Sequence, residues 1–340
     1  MIVRLGFVAM SLQVENASPS RTMTFANFSK LNDREAGIRK LERIAEENLR
    51  STLRILKHCK ASEIQMYRFS SKLIPLATHE DLLEWNPFEA LAPAFQEVGE
   101  FVQKHGIRVS FHPDHFCVFS TPRPEVLAKS ELDLLNHILM LEAMGLDEAT
   151  KCNIHIGGAY GDKVVAGERF VRQFSSLSPR FKHRITLEND DKTFNVMETL
   201  EAAEQVEVPM VLDIHHHAVN AGDISDDELY EHLWPRIVRT WDKERERLGL
   251  AGTSQLPPKI HASSPKSLSD PRGHADYVEA EPLVQFLRHA ARNTEYLDCM
   301  LEAKSKDEAL MKLIEDLKEL EASAEGIKVL DGGRVEITAD

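Results

Sequence analysis

Six short runs in this chain each end on a side chain that can donate to a cation. His112 follows Val109-Ser110-Phe111, His155 follows Cys152-Asn153-Ile154, and Glu188 follows Thr186-Leu187. Asp213 follows Val211-Leu212, His261 follows Lys259-Ile260, and Glu302 follows Met300-Leu301. Imidazole and carboxylate donors without cysteine suit Zn²⁺, Mn²⁺ or Fe²⁺ better than calcium or an iron–sulfur cluster. Six donors exceed what one open catalytic zinc takes, so they point to a cluster of ions. Such ions clamp the attacking and departing oxygens of a phosphodiester and supply hydroxide near neutral pH. The chemistry expected is hydrolysis.

Further donors lie in the segments that follow these runs. After Asp213 come His215, His216 and His217, of which His216 is the preferred ligand; His274 and His79 fall in comparable positions. A lone histidine at a strand end is usually structural, and His79 reads equally well as a plain loop residue. Six donors in succession differ, because burying so many unpaired imidazoles and carboxylates together is costly without a cation to organise them.

Elements able to bring such distant residues together follow from the apolar pattern. Strands are expected at Ile2–Ala9, Glu63–Phe69, Arg108–His112, Lys151–Ile156, Arg184–Glu188, Pro209–Asp213, Pro258–Ala262 and Tyr296–Glu302. Helical patterns alternate with them: Asp33–Lys57, Pro87–Lys104 behind an Asn86 cap, Glu125–Met144, Glu168–Ser176, Asn195–Gln205, Asp226–Leu248, Glu281–Arg292 and Lys306–Leu320. Eight strands alternating with helices predict an α/β TIM (β/α)8 barrel, whose strands present their C-terminal ends in one mouth. The barrel is assigned to residues 1–305; residues 306–340 supply the last helix and a short extension, where Asp331-Gly332-Gly333 between two β-prone runs suggests a hairpin.

At 340 residues, 42% hydrophobic and 28% charged, the chain has the composition of a soluble globular protein. The apolar start carries Arg4 and lacks a small-residue cleavage site, so it reads as a strand and not a signal peptide, and no membrane association is expected. Cys59, Cys117, Cys152 and Cys299 lack C-x-x-C spacing, which suits a reducing cytoplasm. A net charge of −14 argues against nucleic-acid binding in general, although carboxylates facing divalent ions would reverse the field locally. Basic stretches also occur at 180–184 and 266–272.

Several motifs together resemble the UV damage endonuclease family. They are Arg4-Leu5-Gly6, Leu73-Ile74-Pro75-Leu76-Ala77-Thr78-His79, Phe111-His112-Pro113-Asp114, His155-Ile156-Gly157-Gly158-Ala159-Tyr160-Gly161 and Leu187-Glu188-Asn189-Asp190. The histidine segment 213–220, Lys259-Ile260-His261-Ala262-Ser263-Ser264 and Leu301-Glu302-Ala303-Lys304 complete the set, which spans roughly residues 1–305. The resemblance implies a barrel related to endonuclease IV with three divalent ions, manganese foremost and zinc or iron as alternatives. It places His112, His155 and Glu188 on one ion. Glu188 would bridge to a second ion held with Asp213, His261 and Glu302, and His216 with His274 would hold a third. Lys259 matches a lysine that can be carboxylated in a relative, or serves as an ammonium for phosphate; His79 matches a further catalytic histidine.

What the resemblance implies is a nick in double-stranded DNA immediately 5′ to a photoproduct, leaving a 3′ hydroxyl and a 5′ phosphate, by a monomer needing no protein partner. Lesions share weakened stacking, which a protein exploits by inserting side chains and extruding the damaged bases. The loop after His112 is the expected probe, with His115-Phe116 where relatives carry Gln-Tyr, and Phe7 where they carry tyrosine. Phe116 could instead pack beneath its own loop. An abasic-site endonuclease of the endonuclease IV type is the main alternative; a metal-dependent sugar isomerase would need fewer ions, and a non-catalytic lesion binder would be indifferent to metal.

Overall fold

Each expected strand forms in the computed structural model, which describes residues 1–114 and 116–339, with its ends trimmed. They are β1 (Ile2–Val8), β2 (Met66–Arg68), β3 (Arg108–Phe111), β4 (Lys151–His155), β5 (Ile185–Glu188), β6 (Met210–Asp213), β7 (Lys259–Ala262) and, after a hairpin of β8 (Pro265–Ser267) and β9 (Asp270–His274), β10 (Tyr296–Leu301). All neighbours along the barrel are parallel, and β10 pairs with both β7 and β1, which closes the sheet. The result is a TIM barrel.

Parity along the strands decides what fills it. Arg108 on β3 reaches Asp298 on β10, and Lys259 on β7 reaches Ser110 on β3 at 3.0 Å, so these residues point into the barrel. Residues two positions further along the same strands point inward as well, because side chains alternate with period two. The inward series are therefore Arg108-Ser110-His112, Lys151-Asn153-His155, Lys259-His261 and Asp298-Met300-Glu302. Val3, Leu5, Phe7, Val109, Ile154, Leu187, Leu212 and Ile260 point outward and are buried under the helices. TIM barrels usually fill their interior with branched apolar side chains. This one carries polar layers that end in the six donors.

The helices follow local signals. Asp33 accepts from the Glu35 and Ala36 amides to start Arg34–Ala61, and Asn86 caps Pro87–His105, which ends on Gly106 at φ 61°. The helix expected from Glu168 begins earlier, at Lys163, because Asp162 caps it by accepting from the Val165 amide. The continuous helix expected over 226–248 instead passes through a π turn at Leu229–Leu233, where the Trp234 amide donates to the Leu229 carbonyl. Pro235 accounts for the widening, since its ring cannot sit against the carbonyl four residues earlier.

The C-terminal runs form a hairpin, β11 (Ile327–Val329) and β12 (Arg334–Ile337), and β12 pairs antiparallel with β1 over Ile2–Arg4. Glycine is required at its turn: a Cβ on Gly332 would lie 2.2 Å from the Ser62 carbonyl oxygen. The hairpin thus extends the barrel sheet beside the lower half of β1. No helix among the described residues is long and apolar enough to cross a membrane, and the four cysteines are buried thiols.

Candidate metal centre

Seven of the anticipated donors meet in the mouth. Strand ends deliver His112, His155, Glu188, Asp213, His261 and Glu302, and the helix Ile214–Val219 delivers His216. Asp213 starts that helix by accepting from the His216 amide at 2.7 Å, which puts the His216 ring on the same side as the Asp213 carboxylate. Three sets of donor atoms each lie within 4.8 Å of one another: His112, His155 and Glu188; Glu188, Asp213 and His216; Glu188, His261 and Glu302. Glu188 belongs to all three. The grouping differs from the expectation in two respects, since Asp213 falls with His216 rather than with His261 and Glu302, and His274 does not join His216 in a set of its own.

Four imidazoles share one arrangement. Nδ1 of His112, His155, His216 and His274 lies at 3.0, 3.1, 2.9 and 2.7 Å from the carbonyl oxygens of Pro113, Glu188, Asn189 and Glu302. A carbonyl only accepts, so each Nδ1 carries a proton and each Nε2 is the atom left to bind a cation. Histidines that ligate metals are held in this way. His112 Nε2 stands 3.1 Å from Glu188 Oε2, where lone pair and carboxylate repel unless a proton or a cation separates them. Nδ1 of His261 lies 3.0 Å from Glu188 and 3.1 Å from Glu302, while its buried Nε2 and the Asp213 Oδ2 have no hydrogen-bond partner. The orphaned atoms and the mixed oxygen–nitrogen donor set fit divalent transition ions.

The electrostatics of the bare cluster are divided. Burial disfavours the Glu188 anion, yet His261, His155 and His112 hold its carboxyl well below the usual range. Burial, reinforced by Glu188 and Glu302, pushes Asp213 up to about 6 despite His216. His216 is raised to about 9, its burial being outweighed by Asp213, Glu188 and Glu302. Protons here occupy places that a cation could take.

Several contributors were not anticipated. Arg68 on β2 pairs with Glu302, the Asn153 amide donates to Glu188 Oε2, and Asn189 both holds His216 and exchanges hydrogen bonds with the Asp213 backbone at 2.9 Å. Arg68 and Asn153 lie two residues from an inward position or in line with one, a parity that becomes informative once the ring is closed. Lys259 is buried one layer below His261; burial, then Arg108 and Arg68, bring its ammonium down to about 7.

The remaining predicted residues divide. His274 is in the mouth, its ring 6.2 Å from that of His216, but it joins none of the three donor sets. His79 stays apart from the cluster, stacked on Phe25 at 3.8 Å, and lines a hollow of about 750 Å³ with Phe116 and Asp114. Phe116 is 73% exposed, so it does not pack beneath its loop. Phe7 corrects the expectation: it is fully buried against Tyr67 and offers no surface to DNA, because its parity is opposite to that of Arg4 and Gly6. His115 lies outside the described residues. A trench of about 460 Å³ runs over the cluster, lined by Pro113 and Asp114 from the segment after β3 and by Arg272 and His274 from β9.

Known proteins resemble this chain over nearly its whole length. The UV DNA damage endonuclease of Halalkalibacterium halodurans is 41% identical over 320 residues, covering 94% of this chain and 95% of that protein. The protein of the same name from Bacillus pumilus is 40% identical over 339 residues, 99% of each chain. The crystal structure of SacUVDE superposes with a TM-score of 0.77 at 26% identity over 94% of this chain and 99% of that one. Endonuclease IV from Thermus thermophilus shares the fold, with a TM-score of 0.51 at 13% identity over 94% of this chain and 100% of that one. Since the family model for UV-endonuclease UvdE also matches residues 3–336, nearly the whole barrel and its hairpin, the chain belongs to the UvdE family of endonucleases.

Proposed function

We propose that this chain is a DNA repair enzyme that hydrolyses one strand of duplex DNA immediately 5′ to UV photoproducts, both cyclobutane dimers and (6-4) products, and at abasic sites. The products are a 3′ hydroxyl and a 5′ phosphate. The cluster holds three divalent ions, manganese foremost, on His112, His155, Glu188, Asp213, His216, His261, His274 and Glu302. Bound there, such ions supply Lewis acidity to the phosphodiester and lower the pKa of water.

The chain's own residues set the rest. Glu188, shared by every donor set, fixes the spacing of the site, and the backbone-held imidazoles keep their geometry without reorganisation during turnover. Lys259, brought near neutrality by burial, can exist as the amine that carboxylation requires or as an ammonium beneath the phosphate. His79 and Phe116 border one hollow beside the trench, where a strand threading the mouth would meet both. A wedge at Phe116 suits lesions with weakened stacking.

The observation that carries this reading is the convergence of three oriented imidazoles and His261 on buried carboxylates with orphaned atoms, in a chain of the UvdE family. Metal-free and manganese-loaded protein should be incubated with duplexes bearing one cyclobutane dimer, one (6-4) product or one abasic site, and the cut mapped. Nicking 5′ to the photoproducts only in the loaded protein is expected. Cleavage of abasic DNA alone would favour an endonuclease IV type of specificity, and no cleavage of any duplex would sink the reading.

A further inference from the structure

The mouth has a second apolar projection. Leu268 forms, with Ser269, the two-residue turn between β8 and β9, and is 104% exposed, with more surface than in an extended chain. The hairpin around it is braced. Asp270 accepts from the Gly273 amide at 3.1 Å and from Lys266 at 3.2 Å, and Ser267 Oγ accepts from the Asp270 amide at 3.0 Å. Its root is tied to the barrel, with the Ala275 amide on the Ser264 carbonyl at 2.9 Å and the Lys304 amide on the Ala275 carbonyl at 3.0 Å. A leucine held out on a fixed hairpin forgoes the burial its side chain would otherwise gain.

Two further observations place this tip opposite Phe116. In the closed order β1-β2-β3-β4-β5-β6-β7-β10, the strands β3 and β7 face each other across the ring. Their side chains meet across it, with the His112 and His261 rings 6.1 Å apart. Phe116 follows β3 and the hairpin follows β7, and the trench over the cluster is lined by Asp114 and Cys117 from the Phe116 segment and by Arg272 and His274 from the hairpin. Apart from Leu330, every bulky apolar side chain left in solvent among the described residues follows the C-terminal end of a barrel strand; Leu12, Leu83 and Tyr160 are others. Lys266 and Arg272 flank the Leu268 turn on an otherwise acidic chain, as phosphate on either side of an inserted tip requires.

We infer that Leu268 is a second wedge, inserted into a lesion-bearing duplex from the side opposite Phe116, so that the hairpin β8–β9 and the Phe116 loop grip the unstacked step between them. The inference rests on the function proposed above. A duplex that keeps its stacking resists such insertion, so Leu268 contributes to discrimination and not to general DNA affinity.

The test uses the full manganese-loaded chain and anisotropy titrations against two duplexes, one intact and one carrying a cyclobutane dimer with a phosphorothioate at the cut position. Leu268→Ser should weaken binding of the dimer duplex by about 10-fold or more, the loss expected when a buried leucine contact is removed. Intact duplex should change by less than about 2-fold, and Leu268→Met should bind like the wild type. 2-Aminopurine opposite the dimer should brighten less on binding the Ser variant. Equal losses for both duplexes would make the hairpin a general clamp and overturn the inference, as would no loss at all. A wild-type chain without preference for the dimer duplex would overturn the underlying reading and this inference with it, an outcome distinct from a wild-type preference that the Ser variant retains.

Discussion

The two ends of the barrel are both charged and both buried, yet they are wired differently. At the floor, Arg4 and Arg108 converge on Asp298, and Lys151 with Arg247 converges on Glu244. None of the fully buried polar atoms of these side chains lacks a partner. At the mouth, three carboxylates face one arginine and several imidazoles, and Asp213 Oδ2 and His261 Nε2 are orphaned. The floor is complete within the protein, and the mouth becomes complete only with something added. Burial and charge density alone would not separate a structural ion-pair network from a binding site; the unpaired atoms do.

The largest effect is expected where the mouth depends on a single residue. Glu188→Gln should lower nicking by about a thousand-fold or more, the scale at which a catalytic metal site loses its function. Its circular dichroism should stay close to wild type, while manganese bound per chain, counted by mass spectrometry, should fall. Undiminished nicking would remove Glu188 from the centre of the site.

The converse change belongs to the floor. Asp298→Ala leaves Arg4 and Arg108 buried without their counter-charge, and removing one partner of a buried pair costs about 3–5 kcal/mol. Urea unfolding should show that loss, with manganese stoichiometry unchanged in the folded fraction. A fall in bound metal at full stability would mean that the two ends are not independent.

The third expectation concerns pH. Asp213, raised from 3.8 to about 6 by burial and by Glu188 and Glu302, binds a proton more readily folded than unfolded. Its contribution to stability in the metal-free protein is present below about 4 and is lost as pH rises through about 6. A divalent ion bound as proposed would take the place of that proton, so the rise in Tm on adding manganese should grow from pH 5 to pH 7. Asp213→Asn should flatten the metal-free profile, and an unchanged slope in that variant would assign the titration elsewhere.

The fold and the six strand-end donors were legible because both rest on local pattern: apolar runs, caps, and a donor closing each run. What escaped depended on parity and on partners far away in sequence. Arg68, Asn153 and Asp298 alternate with apolar neighbours, so the strands that carry them look like ordinary core, and only closure of the ring shows that their other face is a polar interior. The same parity test, applied to β1, separates Arg4 and Gly6 from Phe7 and removes Phe7 from the DNA surface. The π turn before Pro235 was readable from the proline, whereas the bracing of the β8–β9 hairpin required its fold.

The smallest effect expected is at the rim, away from the buried cluster. Phe116 is largely exposed and stands on the hollow that His79 and Asp114 also line, so truncating it removes no core contact and should leave Tm and metal content as in the wild type. Stacking of a base on an aromatic side chain is worth roughly 1–3 kcal/mol, so Phe116→Ala should weaken binding of dimer-bearing duplex by about 5- to 150-fold. Intact duplex, whose bases stay stacked, should be bound nearly as before. Because Leu268 is inferred to act on the same unstacked step from across the trench, the double variant should lose less than the sum of the two single losses. Strict additivity would mean that the two projections touch the duplex independently, and a loss of metal in Phe116→Ala would tie the rim to the cluster in a way the separate wiring of mouth and floor does not.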